Sequence, residues 1–177
     1  MHHRVHLLLR FFPRLGDGFV DGTVAAPYSD LAGIPADVAK SYGLSGANLR
    51  ASGVDWDLRR DQSLPMAWDK ADWKVWTHPD GDSFARCWIR LQETRESCKI
   101  VEQLLDQIPA GPIMTKVPRI IKVPEGEAWV STENPLGEMG YYVVSKGDLV
   151  PFRVKIRSAS FNNITYGKFP VFLRIIN

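Results

Sequence analysis

A chain of 177 residues can bury a real core as one domain or one and a half, and its 45% hydrophobic content is ordinary for a globular protein. With 22 basic against 20 acidic residues the formal charge is +2, too even to supply the basic footprint that nucleic-acid binding needs. The early apolar run at residues 5–12 is cut by Arg10 and followed by no small-residue cleavage site, which argues against a secretory leader or a membrane span; the protein is expected in the cytosol. Docking on a membrane complex from that side would need no span of its own.

In chain order, residues 5–12 read as a short amphipathic helix stopped by Pro13, and a glycine-containing stretch follows at 16–22. Pro35 suits a first helical turn, so residues 36–42 are expected to be helical, with Gly43 as the stop. Residues 49–61 then place six charges in thirteen positions and read as a charged loop, with Trp56 and Leu58 alternating against Asp55, Asp57 and Arg59. Residues 62–81, with Trp68, Trp73 and Trp76 between Pro65 and Pro79, read as extended and aromatic. Asp82 is placed to cap a helix running to about Gln107, with Phe84, Cys87, Trp88, Leu91, Cys98, Val101 and Leu105 on one stripe. On that wheel Arg95 and Glu102 fall inside the stripe while Ile89 and Ile100 fall opposite, the pattern of a helix with more than one packing surface. Residues 128–132 and 140–145 are short strand candidates. A third, near 150–157, alternates Val154 and Ile156 with Arg153, Lys155 and Arg157, so one face of the expected antiparallel sheet is apolar and the other carries a basic row that could meet an acidic partner or water. The fold class is α+β, a long central helix with a small antiparallel sheet.

Cys87 and Cys98, the only cysteines, are eleven residues apart on one expected helix, about 16 Å by helical rise. They can share neither a disulfide nor a metal, and no Cys-x-x-Cys pair is present. His78 reads as an ordinary loop histidine, and His2, His3 and His6 as part of a terminus. The glycines at 16–18 and 43–46 lack the spacing of a phosphate loop. No residue is assigned as catalytic, cofactor-binding or metal-ligating. The charged cluster of Arg50, Asp55, Asp57, Arg59 and Arg60 is either a network at a subunit interface, where arginine forks fit carboxylates, or a solvated loop. Acid/base chemistry by Asp55 and Asp57 is disfavoured, since nothing nearby supplies a nucleophile. Arg95 and Glu102 are either buried with partners or packed by their stems at the rim of a core.

Three blocks carry a family resemblance. The first has Tyr42-Gly43, a turn through Ser45-Gly46, then Arg50-Ala51-Ser52-Gly53 and Asp57-Leu58-Arg59. The second holds Asp82, Arg86, Arg90, Glu93, Arg95 and Ser97. The third has Pro124-Glu125-Gly126-Glu127, Glu133-Asn134-Pro135, Gly137-Glu138 and the Arg153, Lys155, Arg157 run. In order and spacing these resemble the 49 kDa, or D-type, subunit family of respiratory complex I, the NADH-quinone oxidoreductase. That fold is related to the large subunit of nickel-iron hydrogenases. The resemblance divides the chain into an amino-terminal segment at 1–34, a segment like the 49 kDa family at 35–163 and a divergent tail at 164–177.

The resemblance implies a component of the proton-translocating NADH:quinone oxidoreductase, peripheral on the cytoplasmic side of the membrane. Electrons pass from NADH through flavin and iron-sulfur clusters in partner subunits, and quinone is reduced between the 49 kDa subunit and the one with the terminal cluster. The C-type subunit of the complex is a further expected neighbour. The family's quinone-headgroup residues lie in a part to which nothing here corresponds, so this chain is expected to be inactive alone and to contribute a scaffold. Arg50, Asp55, Asp57, Arg59, Arg60, Asp82, Arg86, Arg90, Glu93, Arg95, Glu133, Glu138, Arg153, Lys155 and Arg157 are its structural and interface candidates. Two alternatives are a truncated non-catalytic or assembly-assisting product, and a hydrogenase large-subunit relative, whose metal would need the absent Cys-x-x-Cys pairs.

Overall fold

The computed structural model describes residues 32–62, 66–112 and 114–164; the expected helix at 5–12, the stretch at 16–22, the histidines near the start and most of the tail lie outside them. Helix α1, Ala36–Ser41, begins after Pro35 and ends where Tyr42 donates its amide to Val38 and Gly43 turns the chain at φ 64°. The charged stretch at 49–61 is not one loop. It takes in the end of one short helix, α2 (Ala47–Arg50), and the whole of another, α3 (Leu58–Asp61), and α3 forms because Asp57 stops the extended chain and accepts the Arg59 amide as an N-cap. In the described part of the aromatic stretch, residues 66–81, the chain forms one 3-10 turn, Ala67–Lys70, and no strand.

Helix α4, Ser83–Asp106, starts on the expected cap: the Asp82 carboxylate accepts the Ala85 amide at 2.7 Å. Its buried face differs from the expected stripe. Ala85, Ile89, Gln92, Glu96 and Ile100 are sealed in, while Cys87 and Val101 are exposed and Trp88, Leu91 and Cys98 are half-buried. Small side chains decide this. Ala47 and Ala51 of the α2 region meet Ala85 and Ile89, three of the four being alanines that let the helices pack closely, and Trp76 and Trp88 pack against them. Two polar residues on that face hid it in the sequence. Glu96 tolerates burial because Trp76 Nε1, the Lys74 amide and Lys99 Nζ all donate to it. Arg95 and Glu102 are half-buried, as residues at the rim of a core would be. A second small cluster joins Ile34, Ala39, Leu44 and Leu49, with Val54 and Trp56 packed on it.

Strands β1 (Gly126–Asn134), β2 (Gly137–Ser145) and β3 (Arg153–Arg157) form an antiparallel meander in the order β1-β2-β3. The register sets Trp129 opposite Tyr142 and Tyr142 opposite Lys155, so Glu127, Trp129, Ser131, Glu133, Glu138, Tyr142 and the basic row share one face. Ala128, Val130, Met139, Tyr141, Val143, Val154 and Ile156 share the other, and Val130, Tyr141, Val154 and Ile156 on it are exposed. The architecture is α+β, but α4 does not lie on the sheet. Residues 43–61 stand between them and are held to both.

The hold on the sheet is a close backbone approach. Gly46, at φ 66°, sits against Gly137, at φ 121°, and a Cβ on either would collide with the backbone of the opposing segment. Ser45 Oγ accepts the Glu138 amide at 3.0 Å beside this contact, and Arg157 and Asn162 both donate to the Gly43 carbonyl.

Candidate functional site

The residues between α4 and the sheet converge on Arg50. Helix α2 delivers this side chain into the interior, where it is 2% exposed, and each part of its guanidinium meets a different element. Nε donates to Glu93 Oε1 of α4 at 2.6 Å. Nη1 donates to the Trp56 carbonyl at 3.0 Å and lies 3.3 Å from Asp57 Oδ2. Nη2 reaches Glu133 Oε1 of β1 at 3.0 Å. A fork of fixed geometry thus joins helix, loop and sheet, which a lysine point charge would not do.

Asp57 is fully buried and does three jobs: it caps α3, pairs with Arg50, and takes a two-pronged bond from Arg59, whose Nε and Nη2 lie 3.0 and 2.7 Å from its oxygens. Burial works to raise its pKa, but the Arg59 hydrogen bonds and the charges of Arg50 and Arg59 hold it below the usual aspartate value. Arg59 also covers the Trp73 ring, 4.6 Å from its centroid. For Arg50, burial opposes ionisation, yet Glu93, Glu133 and Asp57 keep it firmly charged.

Glu133 is different. Its side chain is 4% exposed, its approach to Arg50 is out of line for a hydrogen bond, and neither carboxylate oxygen has a well-formed hydrogen bond among the described residues. Burial raises its pKa, Arg50 opposes the rise and Asp57 adds to it; the outcome is a carboxyl held above the ordinary glutamate value. The cluster therefore holds three carboxyl groups, Asp57, Glu93 and Glu133, against two guanidiniums, and the surplus negative charge is the one the site favours neutralising by a proton. A cleft of about 540 Å³ opens beside it, lined by Arg50, Arg59, Glu93 and Glu133 with Trp68, Arg90 and Leu136.

The remaining candidates fall elsewhere. Asp55 and Arg60 pair at 2.9 Å on the surface, and Arg60 also holds Asp61 at 2.7 Å. Asp55 and Asp57, expected on one side of an extended strand, have opposite surroundings, with side chains 63% and 1% exposed. Asp82, Arg86 and Arg90 fasten the start of α4: Arg86 donates to the Gly81 and Ala32 carbonyls, and Arg90 to Asn48 Oδ1. Arg157 pairs with Glu138 at 2.9 Å. Arg153 and Lys155 stand on the exposed strand β3, away from the cleft beside Arg50. His78 packs edge-on between Phe84 and Trp88. Glu96 and Ser45, both structural, escaped the sequence reading. Among the described residues no group of three or more His, Cys, Asp or Glu is arranged to hold a metal ion, and no helix is long and apolar enough to cross a membrane.

The model of the family described as the 49 Kd subunit of respiratory-chain NADH dehydrogenase matches residues 21–122 and 118–170. The NADH-quinone oxidoreductase D-type subunit 2 of Solibacter usitatus is 45% identical over 135 residues, covering 76% of this chain and 36% of the relative. The D-type subunit of Bacillus anthracis is 48% identical over 130 residues, with 73% and 35% covered. A chain in the structure of the membrane-bound sulfane sulfur reductase, an archaeal respiratory membrane complex, superposes with a TM-score of 0.81 at 30% identity, over 91% of this chain and 45% of that one. The relatives of known name are thus subunits of an oxidoreductase complex. The chain belongs to the 49 kDa subunit family of respiratory-chain NADH dehydrogenase, and it spans about a third of the length of the relatives it matches.

Proposed function

We propose that this chain serves as a scaffold segment of the quinone-reducing module of a proton-translocating NADH:quinone oxidoreductase, on the cytoplasmic side of the membrane, and has no activity alone. The observation that carries the reading is the identity of 45% over 135 residues to a protein named as the D-type subunit of that enzyme, together with a family match at 21–122 and 118–170 that encloses all of the charged candidates. The geometry supports a scaffold: the buried charges of Arg50, Asp57, Glu93 and Glu133 are committed to joining α2, α3, α4 and β1, and no nucleophile stands among them. Electron carriers fit other chains better, since Cys87 and Cys98 are one exposed and one half-buried thiol on a single helix. On this reading flavin, NADH and the iron-sulfur clusters belong to partner subunits, and the nearest partners are the terminal-cluster subunit and the C-type subunit. The acceptor is taken as quinone from the named relatives, because fold alone does not choose it; the same architecture occurs in a sulfane sulfur reductase complex.

The test is affinity purification of the tagged chain from membranes of its own organism, with NADH:quinone reductase activity measured on the product. Recovery of the terminal-cluster subunit together with activity is the expected result. A chain that recovers no other component of the complex is not a part of it, and the proposal fails.

A further inference from the structure

Strand β3 closes one end of the sheet order, and among the described residues no strand pairs with its outer side. Its five residues alternate strictly. Arg153, Lys155 and Arg157 point to one face, and Val154 and Ile156, 46% and 57% exposed, point to the other. The three cations line a shallow concavity of about 450 Å³ with Trp129 and Tyr142. Arg157 is tied to Glu138, but the Lys155 side chain has no hydrogen bond or ion pair among the described residues. The apolar side continues across the sheet through Tyr141 and Val130, 42% and 52% exposed.

Isolated edge strands usually carry charge to discourage pairing, and one lysine suffices for that. Edge protection alone does not account for an uncovered apolar face behind the charges. We propose that the outer edge of β3 receives an extended segment of a neighbouring polypeptide whose side chains alternate carboxylate and apolar. In such an addition the backbone of the guest completes the hydrogen-bond ladder. Side chains two residues apart on the guest recur about every 6.8 Å, the spacing of the cations on β3, so acidic residues of the guest face the basic row. The intervening apolar residues extend the face of Val154 and Ile156. Strand addition is independent of the proposed assembly, which concerns only whose polypeptide the guest belongs to.

The probe is a fluorescein-labelled nonapeptide with glutamate at odd and valine at even positions, titrated into the full 177-residue chain. A control peptide has the same composition with the glutamates in one block, and phosphatidylglycerol vesicles test a membrane surface instead. Binding of the alternating peptide that weakens with salt, and slower amide exchange confined to residues 153–157, are the expected results. Lys155→Glu should weaken binding about tenfold by turning cross-strand attraction into repulsion, and Lys155→Gln should fall between, with unchanged circular dichroism in both. Equal binding of the block peptide without amide protection would reduce the surface to diffuse charge. Capture by vesicles but not by the peptide would make it a lipid surface, and no binding of any probe would leave edge protection. Each of these three results overturns the proposal.

Discussion

Replacing Arg50 by methionine removes the one group shared by α2, α4 and β1 while keeping most of the apolar stem's volume. The carboxylates left behind have unequal means of relief. Asp57 keeps both prongs of Arg59, and Glu93, 17% exposed, can turn toward water. Glu133, 4% exposed, is left with only the lesser help of the Leu58 amide and the more distant charge of Arg59 among the described residues. Stranding a buried charge of this kind costs about 3–5 kcal/mol, but the carboxyl can escape by taking a proton. For a glutamate of ordinary pKa 4.5 that costs about 3 kcal/mol at pH 7 and less than about 1 kcal/mol at pH 5. The loss of the bond to the Trp56 carbonyl adds about 1 kcal/mol at either pH. Since the raised carboxyl of the parent already carries part of that proton cost, urea unfolding followed by circular dichroism should show Arg50→Met destabilised by about 2–4 kcal/mol at pH 7 and about 1 kcal/mol at pH 5, and Glu133→Gln added to it should restore much of the difference at pH 7. An unfolding midpoint equal to that of the parent, or an equal loss at both pH values, would refute the account of Arg50 as the counter-charge of a buried carboxyl.

Glu133→Gln alone is expected to match or exceed the parent's stability at pH 7.5, with the advantage shrinking toward pH 4.5. A carboxyl whose pKa is raised in the fold gives stability below its unfolded value and loses it as pH rises through the folded one, which urea titrations across pH 4–8 will show. Asp57 and Glu96 have the opposite sign. The fold holds them below 3.8 and 4.5, so their contribution is full above those values and falls away as acid drives the pH through the folded values; Glu96→Gln should flatten the decline between pH 4.5 and 3 in thermal unfolding. Gly46→Ala should cost at least about 2 kcal/mol, from a positive φ and a collision with the Gly137 backbone, read as a lowered Tm. A thiol reagent at pH 7.5 should modify exposed Cys87 quickly and Cys98 slowly, because burial and the neighbouring Glu102 push the Cys98 thiol up.

Local signals are readable in the chain and distant ones are not. Asp82 announces α4, and the alternation of Val154 and Ile156 with three cations announces β3, because a cap and a period of two are properties of adjacent residues. The run from Arg50 to Asp61 looks like a solvated loop since nothing in six neighbouring charges shows that two of them, Arg50 and Asp57, are buried. The burial of Arg50 depends on Glu93 and Glu133, which lie 43 and 83 positions further along the chain. The face of α4 is misread for a related reason. Gln92 and Glu96 interrupt the apolar period, and only the donors on Trp76 and Lys74, brought from another segment, make Glu96 acceptable inside. The charged candidates are thus legible as a set, but their division into a buried junction, a surface pair and an edge row is a property of the packing.

Hairpin tips are commonly the places where a protein gains or loses residues without harm, because they project into water. The tip between β1 and β2 is denied that freedom on one side, where Gly137 lies against Gly46 and the Glu138 amide is fixed by Ser45. One added residue there would shift Glu133 relative to Arg50 as well as break the backbone contact, so the turn has in effect a single permitted length. Changes of length should instead be absorbed by the exposed stretch at 114–125, where the side chains bury little and the path from α4 to β1 can lengthen without moving either end.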